Sequence, residues 1–167
     1  MSDPFSELYE ELKRHVGKSQ RTDLGVVRTH DFQRFATASG NLNPIFFDTA
    51  AARAAGYPGT IAPPLMLSAV LGWQAGPPND SLRPDGTMGE EFAFVPLEGM
   101  RVMGGGQDLD FHAPVTDGMR ISMEMRLDGV ELKQGKSGQL ILIRLTQVYR
   151  DADDKPLVTC RETFIAR

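Results

Sequence analysis

The feature that most constrains this chain is the pattern of its last third. From 119 to 127 the odd positions are Met119, Ile121, Met123, Met125 and Leu127, while Ser122, Glu124 and Arg126 lie between them. Apolar residues at every second position make a strand with one buried face, because successive side chains point to opposite sides of a sheet. Residues 140–150 begin apolar on both faces, as a central strand does. Val158, Cys160, Phe164 and Ala166 line one face of a last strand, with Glu162 as the exception. A further strand is expected around 100–111. Turn-rich stretches at 133–138 and 151–156 separate consecutive strands, and such short connections imply antiparallel neighbours. The result is about four antiparallel strands in sequence.

The first half reads differently. Phe5, Leu8, Tyr9, Leu12 and Val16 recur at helical spacing over 3–16, with Ser2 or Asp3 as caps and Gly17 as a stop. A short strand over 24–29, a helix over 31–39 and an alanine-rich helix over 49–55 capped by Asp48 follow. Pro63-Pro64 opens an apolar segment through Trp73 that reads as a helix buried on most sides. One such helix and a run of antiparallel strands are accommodated by an α+β fold in which a curved sheet wraps the helix. The segment 74–97, rich in Gly, Pro and Asp, reads as a lid, an interface segment or a plain mobile loop.

Composition limits what such a chain does. It has 167 residues, a length that fits a single domain over 1–167 with its own core. The net charge of −4 disfavours a nucleic acid or an anionic membrane as partner, since both select basic surfaces. One cysteine, Cys160, permits no internal disulfide and no cysteine-based zinc site, and a lone thiol fits a cytoplasmic setting. The N-terminal residues are acidic and do not read as a secretory signal. No two histidines stand at metal-ligand spacing, so no metal site is expected.

The stretch Phe35-x-x-x-Ser39-Gly40-Asn41-x-Asn43-Pro44-Ile45-Phe46-Phe47-Asp48 resembles the hydratase motif of MaoC-like dehydratases and (R)-specific enoyl-CoA hydratases. Gly56-Tyr57-Pro-Gly-Thr-Ile-Ala-Pro63-Pro64 supports the resemblance. So does Gly105-Gly-Gln107-Asp-Leu-Asp-Phe111-His112-Ala-Pro114-Val115, which resembles the strand after the loop in the N-terminal-type domain of that family. The resemblance implies a hot-dog fold and an acyl-CoA thioester as ligand, with coenzyme A as part of the substrate rather than a separate cofactor. It places Asn43 and the segment Ala62-Pro63-Pro64-Leu65 along the substrate groove.

In active members, the resemblance implies an aspartate after the Ser-Gly pair and a histidine two residues after the Asn-Pro proline. Together they activate the water that adds to a trans-2-enoyl-CoA, while a backbone N–H at the start of the central helix polarises the thioester carbonyl. This chain has Asn41 and Phe46 at the first two places. An amide is no general base and a phenyl ring carries no proton. Pro63 and Pro64 stand near the third, and proline has no N–H to give. The family includes pairs in which one subunit carries the acid–base residues and the other shapes the tunnel. The expectation is therefore a non-catalytic subunit of a heteromeric enoyl-CoA hydratase, partnered by a second MaoC-like subunit. The alternatives are a homodimeric acyl-CoA binding module, or a thioesterase using Asp48 or Glu98 as its carboxylate.

Other residues keep plainer readings beside functional ones. Asn41 and Asn43 suit turns, and the Asn43 amide can fix the one before Pro44. His112 is a hydrogen-bonded structural histidine or a displaced base. The glycines at 104–106 mark a bulge or a close backbone approach. The methionines of 119–125 form a core face or an adaptable wall for an acyl group.

Overall fold

The computed structural model describes residues 4–70, 73, 76, 78–82, 95, 97, 100–135 and 138–167. Amphipathic spacing gives α1 (Pro4–His15), which is followed by β1 (Ser19–Val26). Next come α2 (Thr29–Ala38), a 3₁₀ turn (Pro44–Phe46), α3 (Thr49–Ala54) and α4 (Met66–Ala69). After a second 3₁₀ turn (Asn79–Ser81) come β2 (Val102–Phe111), β3 (Arg120–Gly135), β4 (Gly138–Arg150) and β5 (Pro156–Ala166). The strands form one five-stranded sheet in the order β1-β3-β4-β5-β2. Every neighbouring pair is antiparallel, so β1 and β2 are the edges among the described residues.

The alternation of 119–127 continues well beyond Leu127. Strict period two would put Gly129, Glu131 and Lys133 on the apolar face. A register shift between Leu127 and Gly129 reverses the phase. Leu127 faces Leu145, and beyond the shift Val130 faces Ile143 and Leu132 faces Ile141. One apolar face thus runs the length of the β3–β4 hairpin, as a bulge permits. The turn expected over 133–138 is shorter, because β3 runs to Gly135 and β4 starts at Gly138. The glycines of β2 carry a second bulge, between Gly104 and Gly106. A Cβ on Gly105 would stand 3.0 Å from the Thr163 carbonyl oxygen, so both expected roles are present.

Helices cover the apolar face at two places. Leu12 of α1 is fully buried with Leu127, Ile141, Ile143 and Leu145. Gly17 N–H donates to the Leu127 carbonyl at 2.8 Å and fixes where α1 meets β3. Phe32 of α2 and Met66 and Leu67 of α4 fill the second core with Ile121, Tyr149, Leu157 and Val158. Burying side chains of this size removes roughly 1.5–3 kcal/mol of unfavourable hydration each. A smaller cluster joins Ala36, Phe46 and Ile61.

Two expectations need correction. Among the described residues, the helix expected through Trp73 is the four residues of α4, and Val70 after it is extended. Pro63 and Pro64 lie in the turn that leads into α4 rather than in its first turn, and Leu65 is half exposed instead of buried. The first strand begins earlier than expected, at Ser19, and ends at Val26. Most of 74–97 lies outside the described residues, as do Ser2 and Asp3. Val95 and Leu97 are buried in the core under α1.

Carboxylates tie the helix starts down. Asp48 caps α3, its Oδ1 accepting from Ala50 N at 2.6 Å and Ala51 N at 3.2 Å. At α2, Asp117 from the β2–β3 connection accepts from the Thr29 N–H at 2.7 Å and its hydroxyl at 3.0 Å. These bonds hold the Asp117 carboxyl below its ordinary range. The Gly25 N–H, and then Arg120, do the same for Asp23.

A carboxylate with a depressed folded-state pKa contributes stability above its unfolded value and loses it as pH falls through the folded one. The melting temperature should therefore drop on acidification below the ordinary aspartate range, and less steeply in Asp117→Asn; an unchanged slope would remove Asp117 from the account. Phe46→His, which places an imidazole in the Ala36–Ile61 cluster, should lower stability by roughly 2–5 kcal/mol in urea denaturation.

Candidate functional site

The turn after α2 holds the residues of the hydratase-like motif. Gly40 adopts φ +70°, a left-handed conformation that glycine supplies without strain, and Asn41 N–H returns to the Ala36 carbonyl at 2.9 Å. The Asn41 side chain is exposed. Asn43 Oδ1 accepts from Ile45 N at 3.2 Å and starts the 3₁₀ turn, so its amide fixes the chain before Pro44. Phe46 is 3% exposed, and Gln33 Nε2 donates to its carbonyl at 3.2 Å. Its ring packs with Ala36 and Ile61. The two motif positions therefore differ in kind: an exposed amide on a turn and a phenyl ring in a core.

A cleft of about 220 Å³ opens beside this cluster. One wall is Tyr57, Ile61, Ala62, Pro63, Pro64 and Leu67; the other is Phe111 to Val115 with Val158. The walls are pinned together at one end, where Ala62 N–H donates to the Val115 carbonyl at 2.8 Å and Ile61 bridges Thr116. Among the expected groove residues, Ala62, Pro63 and Pro64 line this cleft, while Asn43 and Leu65 are not among its lining residues. His112 does line it, and its Nε2 shares a hydrogen bond of 2.9 Å with Thr159 Oγ1. Asp48, committed to capping α3, is not in the lining, and Glu98 lies outside the described residues.

A second polar group escaped the sequence reading. Gln147 is 6% exposed, at a position of β4 whose neighbours in phase are Leu145 and Tyr149. Tyr149 Oη donates to Gln147 Oε1 at 2.7 Å, and Gln147 Nε2 donates to Glu162 Oε2 at 3.4 Å. Glu162, the exception in the apolar phase of β5, faces Leu145 and Gln107 across the ladders. The sequence signal was a glutamine in an otherwise apolar phase, and its partner was one strand away. Cys160 is buried alongside, with Sγ 3.6 Å from Gln107 Oε1. Burial, and then the Glu162 charge, push its thiol up to about 11, so it stays a neutral core group. The methionines also serve the core: Met125 is buried, and Met123 packs against both large clusters.

Comparison with known proteins places this geometry. The family profile described as "FAS1-like, dehydratase domain region" matches residues 14–160. A UPF0336 protein of Streptomyces avermitilis is 30% identical over 153 residues, covering 91% of this chain and 92% of that protein. Among solved structures, the ChsH1–ChsH2 complex from Mycobacterium tuberculosis superposes with a TM-score of 0.69 at 25% identity, covering 96% of this chain and 89% of the matched one. The HadBC (3R-hydroxyacyl-ACP dehydratase) complex from the same organism gives a TM-score of 0.70 at 19% identity over 90% of this chain and 96% of the matched one. The fold is that of the hot-dog hydratases. With its helix-capped antiparallel sheet and its hydratase-like turn, the chain belongs to the FAS1-like dehydratase domain family, the MaoC-like group that includes the UPF0336 proteins.

Proposed function

We propose that this chain is the non-catalytic subunit of a heteromeric, cytoplasmic MaoC-type enoyl-CoA hydratase. It binds the acyl arm of a coenzyme A thioester and completes the site of a partner that supplies the aspartate and histidine. The observation that carries this reading is the loss of acid–base chemistry at the motif while the surrounding structure is kept. The turn, its Asn43 cap and the adjoining cleft are intact, yet Asn41 has no basic group and Phe46 is core. A water molecule placed there meets no proton acceptor at either position.

The partner is a second hot-dog subunit. β2 is an edge strand, and an edge with unpaired backbone groups is a template for another strand. Phe111 at its end is 52% exposed, and Leu65, just before α4, is 50% exposed. Both are apolar side chains suited to cover by another subunit. The structural likeness to chains of the ChsH1–ChsH2 and HadBC complexes supports a paired arrangement.

The test is hydration of crotonyl-CoA. The lone chain should be slower than a hydratase with the intact motif by about 10²–10⁴-fold, the usual contribution of general acid–base groups. Mixed with a subunit carrying Ser-Gly-Asp-x-Asn-Pro-x-His, it should restore turnover and co-elute as a heteromer. Robust hydration by the lone chain, unchanged in Asn41→Ala, would contradict the proposal.

A further inference from the structure

We infer that His112 anchors the carbonyl oxygen of the acyl thioester in the Tyr57–Val158 cleft; this rests on the reading that the cleft takes the acyl arm. The cleft is mostly apolar, and several of its backbone N–H groups are already committed. Ala62 N–H is taken by the Val115 carbonyl and Ile61 N–H by Ile45 at 3.4 Å. The Leu157 carbonyl takes the N–H groups of His112, at 2.9 Å, and Ala113, at 3.3 Å. Pro63, Pro64 and Pro114 have none. The polar side chains of the lining, among the described residues, are Tyr57 and His112.

His112 is the better prepared of the two. Tyr57 packs against the Phe46 cluster. The His112 ring is fixed by Thr159 and makes no other side-chain hydrogen bond among the described residues. A threonine hydroxyl both donates and accepts. When it donates to Nε2, the proton of the neutral imidazole resides on Nδ1, which becomes a donor for a carbonyl oxygen. The volume of about 220 Å³ is below the 300–1,000 Å³ of a pocket for a whole drug-sized ligand and suits a thioester and its first carbons. His112 stands on an exposed wall of the cleft, so a carbonyl oxygen there exchanges a water for the imidazole donor. Among the side chains of the lining, the His112 imidazole is placed to supply that donor.

The experiment is a ligand-by-residue cycle on the full chain by calorimetry. The probes are butyryl-CoA and its thioether analogue, which has a methylene in place of the carbonyl. The parent should prefer the thioester by about 3–10-fold, the worth of one neutral hydrogen bond. His112→Ala should bind both probes with equal affinity, at the level of the parent with the thioether. Thr159→Val, which keeps the imidazole but releases it, should narrow the preference, and it serves as the second variant if His112→Ala melts below the assay temperature. An equal loss of both probes in His112→Ala, or a preference unchanged in both variants, would overturn the anchoring role alone. Failure of the parent to bind either probe would overturn the acyl-arm reading, and this inference with it.

Discussion

The antiparallel ladder between β3 and β4 is the constraint on which the rest of the structure depends. It pairs Ser122 with Arg150 at one end and Gly135 with Gly138 at the other. A hairpin this long with one apolar face leaves a strip of buried-type side chains that must be covered. Leu12 of α1 covers one half, and Phe32, Met66 and Leu67 cover the other. The opposite side carries charged pairs such as Arg144–Glu131 and Arg161–Asp110, all well exposed. Pairs of that kind contribute little to stability, so the apolar side decides how the chain packs.

The cleft is a consequence of how the covering elements are attached. α4 is too short to be held by its own helical bonds, since one turn of helix is marginal in water. Its position comes from Met66 and Leu67 in the core and from the Ala62–Val115 hydrogen bond just before it. That bond joins residues from the two halves of the chain, and the gap beside it is the cleft. The prolines at 63, 64 and 114 and the bonds of Ala62, His112 and Ala113 N–H remove several backbone donors from its walls.

Much of this was legible in the sequence where one local rule governed. Period two revealed β3 and the apolar face of β5, a run apolar on both faces revealed β4, helical spacing revealed α1, and Asp48 announced the start of α3. The sequence reading failed where distant residues decide. The bulge after Leu127 hides half of β3 from a period-two reading, because the phase reverses in mid-strand. The segment from Leu65 to Trp73 has helical composition, yet only four of its residues form α4. Asn41 and Phe46 were readable as departures from a motif, whereas the convergence of His112 with Pro63 and Pro64 depends on a contact no spacing encodes. The Tyr149–Gln147–Glu162 chain is likewise a property of the assembled sheet.

The central claim is that an acyl thioester lies between the Ile61–Leu67 segment and the end of β2. Photo-crosslinking with a diazirine-bearing short acyl-CoA, followed by peptide mapping, tests it directly. The account predicts adducts within residues 57–67 and 111–115, suppressed by excess butyryl-CoA. Adducts confined to the charged face of the sheet around Arg144 and Arg161, or labelling that excess butyryl-CoA leaves unchanged, would contradict it.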